Sequence, residues 1–195
     1  DAPLRQSLLH FDRIDTFAQP ILTLGNDLRR ADAKLALTYT TTGADGQYLR
    51  LTALDDFTGR SWEPTTEDLD PTYDIERIGP IPGLSEDVPV SPAVTNVTVA
   101  SIVSRWLPVP YAPASVAGLD GDWSWEPDGL TVRTESGNAR DQVYEVRSVQ
   151  VAPSIEQLRA AGTAVESGLG RYLAIPDGLP AVVGATALAV TGGAA

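Results

Sequence analysis

From Lys34 onward, apolar and polar positions alternate. Leu35, Leu37 and Tyr39 interleave with Ala36, Thr38 and Thr40, the period of two of a strand buried on one face. Gly43 to Gly46 supplies turn residues and Tyr48 to Leu54 resumes the pattern, which predicts a hairpin. Asp55 and Asp56 interrupt it, Phe57 follows, and Thr58-Gly59 predicts a tight turn before Arg60 to Trp62. The three runs together predict a meander of three strands. Glu63 to Pro92 is rich in Pro, Gly and acid, with Ile75, Ile78 and Ile81 scattered through it. A loop of that length is uncommon inside a domain, so it is expected to drape over the sheet through its isoleucines, with one short strand around Tyr73 to Ile78. Strand character returns at Val94 to Val103, where Val97, Val99 and Val103 share a face. Trp123 to Trp125, a Pro127-Asp128-Gly129 turn and Leu130 to Val132 predict a second hairpin. In the long strand from Gln142 to Val151, Tyr144 and Val146 lie on one face and Val149 and Val151 on the other. That phase change predicts a β-bulge or strong twist near Arg147-Ser148.

The two ends read differently. Residues 1–30 form an arm in which Leu8, Leu9, Phe11, Ile14 and Phe17 suit a short helix or an extended strip, until Pro20 and Gly25-Asn26 break it. At the other end, Pro153-Ser154 followed by Gln157 is a capping-box pattern with Gly162 as a stop, predicting a helix over 154–161. Asp177 and Pro180 open a second helix running through Val190 to Gly192-Gly193. Many short strands followed by terminal helices favour an antiparallel β-sandwich, immunoglobulin-like or related, with short C-terminal helices. The division expected is an arm packing on the domain (1–30), a β-sandwich (31–152) and a helical connector (153–195).

Composition narrows the function. The 195 residues, 43% hydrophobic and 21% charged, suit one globular domain with a real core. A net charge of −12 repels phosphate backbones and anionic headgroups, so nucleic acid is not an expected partner. Lys34 is the only lysine among 14 basic residues, and with the abundance of Ala, Gly, Pro and Val this suggests a GC-rich bacterial genome. Cysteine is absent, which excludes thiol catalysis and cysteine-ligated metal. Methionine is absent too, as in a processed or excised piece of a longer chain. No stretch reaches the roughly 18–20 apolar residues of a membrane helix; Leu179 to Val190 is too short and holds Pro180 and Gly184. There is no signal-peptide pattern.

Candidate chemistry is sparse. His10 is the only histidine, and no Gly-x-Ser-x-Gly elbow accompanies it; it reads as a surface or packing residue. Carboxylates alone would suit calcium or magnesium. Asp120, Asp122 and Asp128 resemble a calcium loop until its sixth position, which should be glycine and is Trp125, so they read as turn residues. Asp55 and Asp56 are adjacent and point to opposite faces of a strand, so they do not converge as a glycosidase pair would; one of them is expected to pair with Arg60. Asn96-Val97-Thr98 is a sequon with little weight in a bacterial protein. Four aromatics remain. Trp123 and Trp125 share a strand face, while Trp106 and Tyr111 flank a proline-rich segment. Buried, they are core, the commoner role of large aromatics in small β domains; exposed, they form a platform for sugar rings or a peptide. No catalytic residue, metal ligand or cofactor is predicted.

Two segments, Tyr48 to Trp62 and Arg105 to Pro113, together with Leu24 to Arg30, Leu119 to Trp123 and Ile155 to Gly162, resemble the extracytoplasmic N-terminal region of bacterial (actinobacterial) TgpA-type transglutaminase-like membrane proteins. The resemblance runs from about residue 20 to the end. It implies membrane helices upstream and, downstream, a papain-like transglutaminase core holding a Cys, His and Asp triad, an acyltransferase or cysteine protease. None of the triad carries over to this chain, which has no cysteine. The resemblance therefore implies a non-catalytic domain on the extracytoplasmic face of the cell membrane, in the cell envelope. It would position the catalytic core or its substrate, with 153–195 leading towards that core. The implied partner is the adjacent transglutaminase-like domain of the same chain, and the membrane is reached only through flanking segments. The rival is an independent module for cell-wall glycan or peptide, using Trp106, Tyr111, Trp123 and Trp125. A cryptic acid hydrolase, a third reading, would need two converging carboxylates.

Overall fold

The computed structural model describes the backbone of residues 5–12 and 33–34, and residues 35–43, 46–57, 62–64, 68–70, 72–161, 172 and 178–192, Phe57 by its backbone alone. Among them, β1 (Arg5–Asp12), β2 (Ala33–Thr41), β6 (Val90–Val99), β8 (Pro113–Ala117) and β11 (Val143–Val151) share one antiparallel sheet. Its spatial order is β1-β2-β6-β11-β8. Three two-stranded ribbons complete the mainly β architecture: β3 (Leu49–Arg50) with β7 (Val109–Pro110), β4 (Asp56–Phe57) with β5 (Trp62–Glu63), and β9 (Ser124–Glu126) with β10 (Thr131–Arg133).

Alternation decides which face of the sheet is buried. Leu37, Tyr39 and Thr41 stand opposite Val99, Val97 and Thr95, and Tyr144 and Val146 stand opposite Val97 and Thr95 on the other side. All are buried, whereas Thr40, Asn96, Thr98, Glu145 and Arg147 on the intervening positions meet solvent. Ile102, Leu107, Val109, Trp123, Val132 and Ala139 join the buried face in one core. Fully burying each Val or Leu there contributes about 1.5–3 kcal/mol. The two buried threonine hydroxyls are satisfied: Thr41 and Thr95 lie 3.0 Å apart, and both reach Gln47 Oε1, at 3.2 and 2.8 Å.

Several sequence expectations are met and others corrected. The β9–β10 hairpin forms across Pro127 to Gly129, and β4 pairs with β5, Phe57 opposite Trp62; the turn expected at Thr58-Gly59 lies outside the described residues. The hairpin expected from β2 into Tyr48–Leu54 does not form. β2 lies between β1 and β6, Tyr48 is exposed, and only Leu49–Arg50 pairs, with β7. The valine-rich β6 gives β2 a longer matched apolar face than the 48–54 segment offers. Alternation in β2 also breaks once: β1 pairs Leu9 with Leu37 and His10 with Leu35, so Ala36 is an extra residue. It turns inward, Leu35 turns outward, and the Ala36 carbonyl accepts from both Ala100 and Ser101 N–H.

The irregularity expected near Arg147-Ser148 exists, but β11 itself runs unbroken along β6 from Val143↔Thr98 to Val151↔Val90. The extra residue is Ala114 on β8, since Arg147 faces Ser115 and Ser148 faces Pro113. The draped loop closes the outer edge of β8. Val116 N–H donates to the Ile75 carbonyl at 2.8 Å and Ile78 N–H to the Ala114 carbonyl at 3.0 Å, while Ile75 and Ile78 pack on the core. A single bridge, Asp74↔Ser124, stands where a short strand was expected. Within the arm, Arg5–Asp12 takes the extended alternative as β1; Ile14, Phe17 and Arg60 lie outside the described residues, as does the side chain of His10.

Helix α1 (Ile155–Ala160) starts as its sequence predicts. Ser154 accepts from Gln157 N–H and Gln157 Oε1 accepts from Ser154 N–H, a complete capping box. The Gln157 amide also donates to the Asp87 carbonyl at 2.9 Å, tying the helix to the loop. Helix α2 (Ala181–Thr191) buries none of its residues. No described helix is long and apolar enough to cross a membrane.

Candidate functional site

The β3–β7 ribbon sets Arg50 opposite Val109, which brings the next same-face position, Tyr111, within reach of a long side chain. The Arg50 guanidinium carbon sits 4.5 Å from the Tyr111 ring centroid, a cation–π contact. One terminal nitrogen donates to the Gly129 carbonyl in the β9–β10 turn. Nε is buried and has no partner. Desolvation pushes the guanidinium pKa below its ordinary value, opposed by the neighbouring Tyr111 hydroxyl. Around this group opens a cleft of about 300 Å³, whose walls include Arg50, Asp55, Tyr111, Glu126, Asp128 and Thr131.

Glu126 is fixed in that wall by its own hairpin. Thr131, directly opposite on β10, donates to one carboxylate oxygen at 2.7 Å, and Arg133 Nε donates to the other at 3.0 Å. The Arg133 side chain is 5% exposed and also pairs with Glu135, which Arg105 approaches at 3.6 Å. A buried arginine needs such matched acceptors, because its unpaired charge is costly in the interior.

Across the same turn lies a second cleft of about 330 Å³, shared by Asp68, Asp70, Tyr73, Trp125, Pro127 and Asp128. Tyr73 and Trp125 meet with centroids 5.1 Å apart and planes tilted 49°. The indole fits only because residue 79 is glycine: a Cβ there would stand 2.7 Å from Trp125 Cη2. Asp70 accepts from Thr72 Oγ1 and N–H at 2.7 and 2.8 Å, and these bonds hold its carboxyl below the usual range.

The four aromatics singled out in the sequence are divided. Trp106 and Trp123 are 7% and 8% exposed and belong to the interior; Trp123 donates to the Asp120 carbonyl at 2.9 Å. Tyr111, 48% exposed, walls the first cleft, and half-buried Trp125 walls the second. Asp55 and Asp56 diverge: the first lines the Arg50 cleft, the second is exposed on β4. Asp120 holds a turn by exchanging bonds with the Gln142 amide. Among the described residues no group of His, Asp and Glu has a metal-binding arrangement. Sequence reasoning missed Arg50, Glu126, Thr131, Arg133 and Tyr73. The available signal was charge inside apolar runs: Arg50 between Leu49 and Leu51, and Arg133 after Val132.

Antiparallel strand pairing with polar clefts at one hairpin turn defines the class, a mainly β domain. Residues 5–155 match the TgpA N-terminal domain, and the chain belongs to that family. No curated protein and no solved structure matches it. The family is an N-terminal domain associated with a transglutaminase-like protein.

Proposed function

We propose that this chain is a non-catalytic extracytoplasmic domain of a membrane-anchored, transglutaminase-like bacterial cell-envelope protein, and that it positions the catalytic core or its substrate. Family membership over residues 5–155 carries the reading. The chemistry of the chain agrees with it: there is no thiol nucleophile, and Glu126 is committed to Thr131 and Arg133. The adjacent transglutaminase-like domain is the partner, reached through a connector over 153–195 whose Ile155, Leu158, Val182, Leu188 and Val190 are exposed. The test compares the parent protein with a version lacking residues 5–155, on acyl-donor and amine substrates. Expected is a fall in kcat/KM of about tenfold or more, the scale of a lost positioning interaction, with no turnover by the 195-residue chain alone. Unchanged kinetics on removal of the domain would end the positioning role.

A second reading, a module for cell-wall glycan or peptide, is favoured by the two aromatics that reach clefts, Tyr111 and Trp125. Sedimentation with purified cell wall, comparing the chain with Tyr111→Ala, tests it. Equal retention of both proteins would remove Tyr111 from any such surface.

A further inference from the structure

Two rings set the shape of the second cleft. The chain at Tyr73 and Asp74 runs beside β9: Trp125 N–H donates to the Tyr73 carbonyl at 3.2 Å, and Asp74 bridges to Ser124. That pairing brings the two rings to 5.1 Å with 49° between their planes. The benzo edge of the indole also abuts Gly79. The rings therefore meet as a corner. A flat pyranose lies against one open face, whereas an unbranched alkyl chain can follow the angle between two. The volume of about 330 Å³ is at the small end of ligand pockets and has room for a single side chain.

The polar part of this cleft is acidic, and no basic side chain is among its lining residues. Glu126 is committed to Thr131 and Arg133, and Asp128 has a contact of its own, so neither charge is spare. Two carboxylates are left. Asp68 is exposed and holds no hydrogen bond or ion pair among the described residues. Asp70 receives both Thr72 bonds on one oxygen, Oδ1, which leaves Oδ2 open to another donor. An anion would be repelled here and by the overall charge of −12. A cation gains from both carboxylates and from the negative faces of the rings, as Arg50 does over Tyr111 in the first cleft.

We propose that the Tyr73–Trp125 cleft binds the side chain of a lysine in an extended peptide, its methylene stem in the corner of the rings and its ammonium on Asp68 and Asp70. Lysine divides in the way the cleft does, into an apolar stem and a compact charged head with three donors. This deepens the peptide form of the second reading by naming one side chain. The Tyr111 sedimentation comparison concerns the other cleft, so either result can fail without the other.

The experiment is an NMR titration of the 195-residue chain, following the Trp125 indole N–H and the Tyr73 amide. The probes are Nα-acetyl-lysine methylamide, its side-chain-acetylated form, which keeps the stem and loses the charge, and methyl glucoside. The lysine probe is expected to shift both resonances and the glucoside neither. The acetylated form is expected to bind about fivefold or more weakly, the scale of a lost cation–π contact with an exposed ion pair. Trp125→Leu is expected to abolish binding, read at Tyr73. Because Trp125 also packs on the core, Asp68→Asn serves as a second variant. It is expected to weaken lysine binding about threefold, with the remaining amide spectrum unchanged. Equal binding of the charged and acetylated probes would overturn the proposal, as would unaltered binding by a folded variant. A glucoside shift equal to that of lysine would make this a sugar site instead, and the absence of any shift with lysine would end the proposal.

Discussion

Tyr144 buries its ring among the core valines and donates its hydroxyl to the Pro108 carbonyl at 2.5 Å. Burial raises its pKa well above the ordinary value of 10.0, so the folded chain keeps a proton that the unfolded chain releases first. The associated stability is fully present below the unfolded pKa and is lost as pH rises above it towards the folded pKa. Thermal melts are therefore expected to show a falling Tm above pH ~10, with a shallower fall in Tyr144→Phe. At neutral pH that variant should be about 1 kcal/mol less stable, because the Pro108 carbonyl loses its donor. An equally steep alkaline fall in the variant would assign the transition to other groups. Ser148 is the inverse case. It is 2% exposed and its hydroxyl has no partner, so it contributes a desolvation penalty without a bond. Ser148→Ala is expected to stabilise by about 1 kcal/mol in denaturant titrations; a destabilised variant would mean that the hydroxyl is bonded in solution. Glu126 tips the other way. Glu126→Ala leaves Arg133 with fewer acceptors in the interior and is expected to cost about 2 kcal/mol. A loss below ~0.5 kcal/mol, as for an exposed pair, would count against a buried one.

At the level of elements, what could be read in the sequence was local. The β9–β10 hairpin and α1 announce themselves within a few residues, through the Pro127-Asp128-Gly129 turn and the Ser154/Gln157 box. The partner of β2 does not, because Leu37 and Tyr39 are completed by Val99 and Val97 from far along the chain, and no local pattern reports which apolar strand wins. The bulge shows the same limit. Its position along β11 was legible, but the strand that supplies the extra residue, β8, was not. The first cleft is less legible still, since Arg50, Tyr111, Glu126 and Thr131 come from four separate strands or strand ends. The aromatics, chosen by size, fell partly into the core for the ordinary reason that large rings fill small β interiors. Local and global stability also separate in α1. Ser154→Ala should cost the helix about 1 kcal/mol, yet α1 has no buried residue. Amide exchange at Leu158 and Ala161, which donate to Ser154 and Gln157, should accelerate while Tm stays fixed. A shifted Tm would mean that α1 carries part of the global fold, through Gln157 and Asp87.

For the molecule as a whole, charge and exposed apolar surface pull in opposite directions. The net charge of −12 keeps copies apart, whereas α2 presents Val182, Val183, Leu188 and Val190 at 47–78% exposure, with no acid in its first turn and no base in its last. A helix apolar on every side is characteristic of one enclosed by protein or lipid, and eleven residues are too few for stable helix in water without packing. Exposed apolar surface of this kind drives association. The chain is therefore expected to self-associate as its concentration rises, and more strongly in salt, because added ions shorten the reach of the repulsion to about 10 Å at 0.1 M. Sedimentation velocity across a concentration series should show the shift. Val182→Glu with Leu188→Glu should return the chain to a monomer while leaving the β-sheet circular dichroism intact, since neither residue contributes to the core. A chain that stays monomeric throughout, or a double variant that associates as before, would place the adhesive surface away from α2.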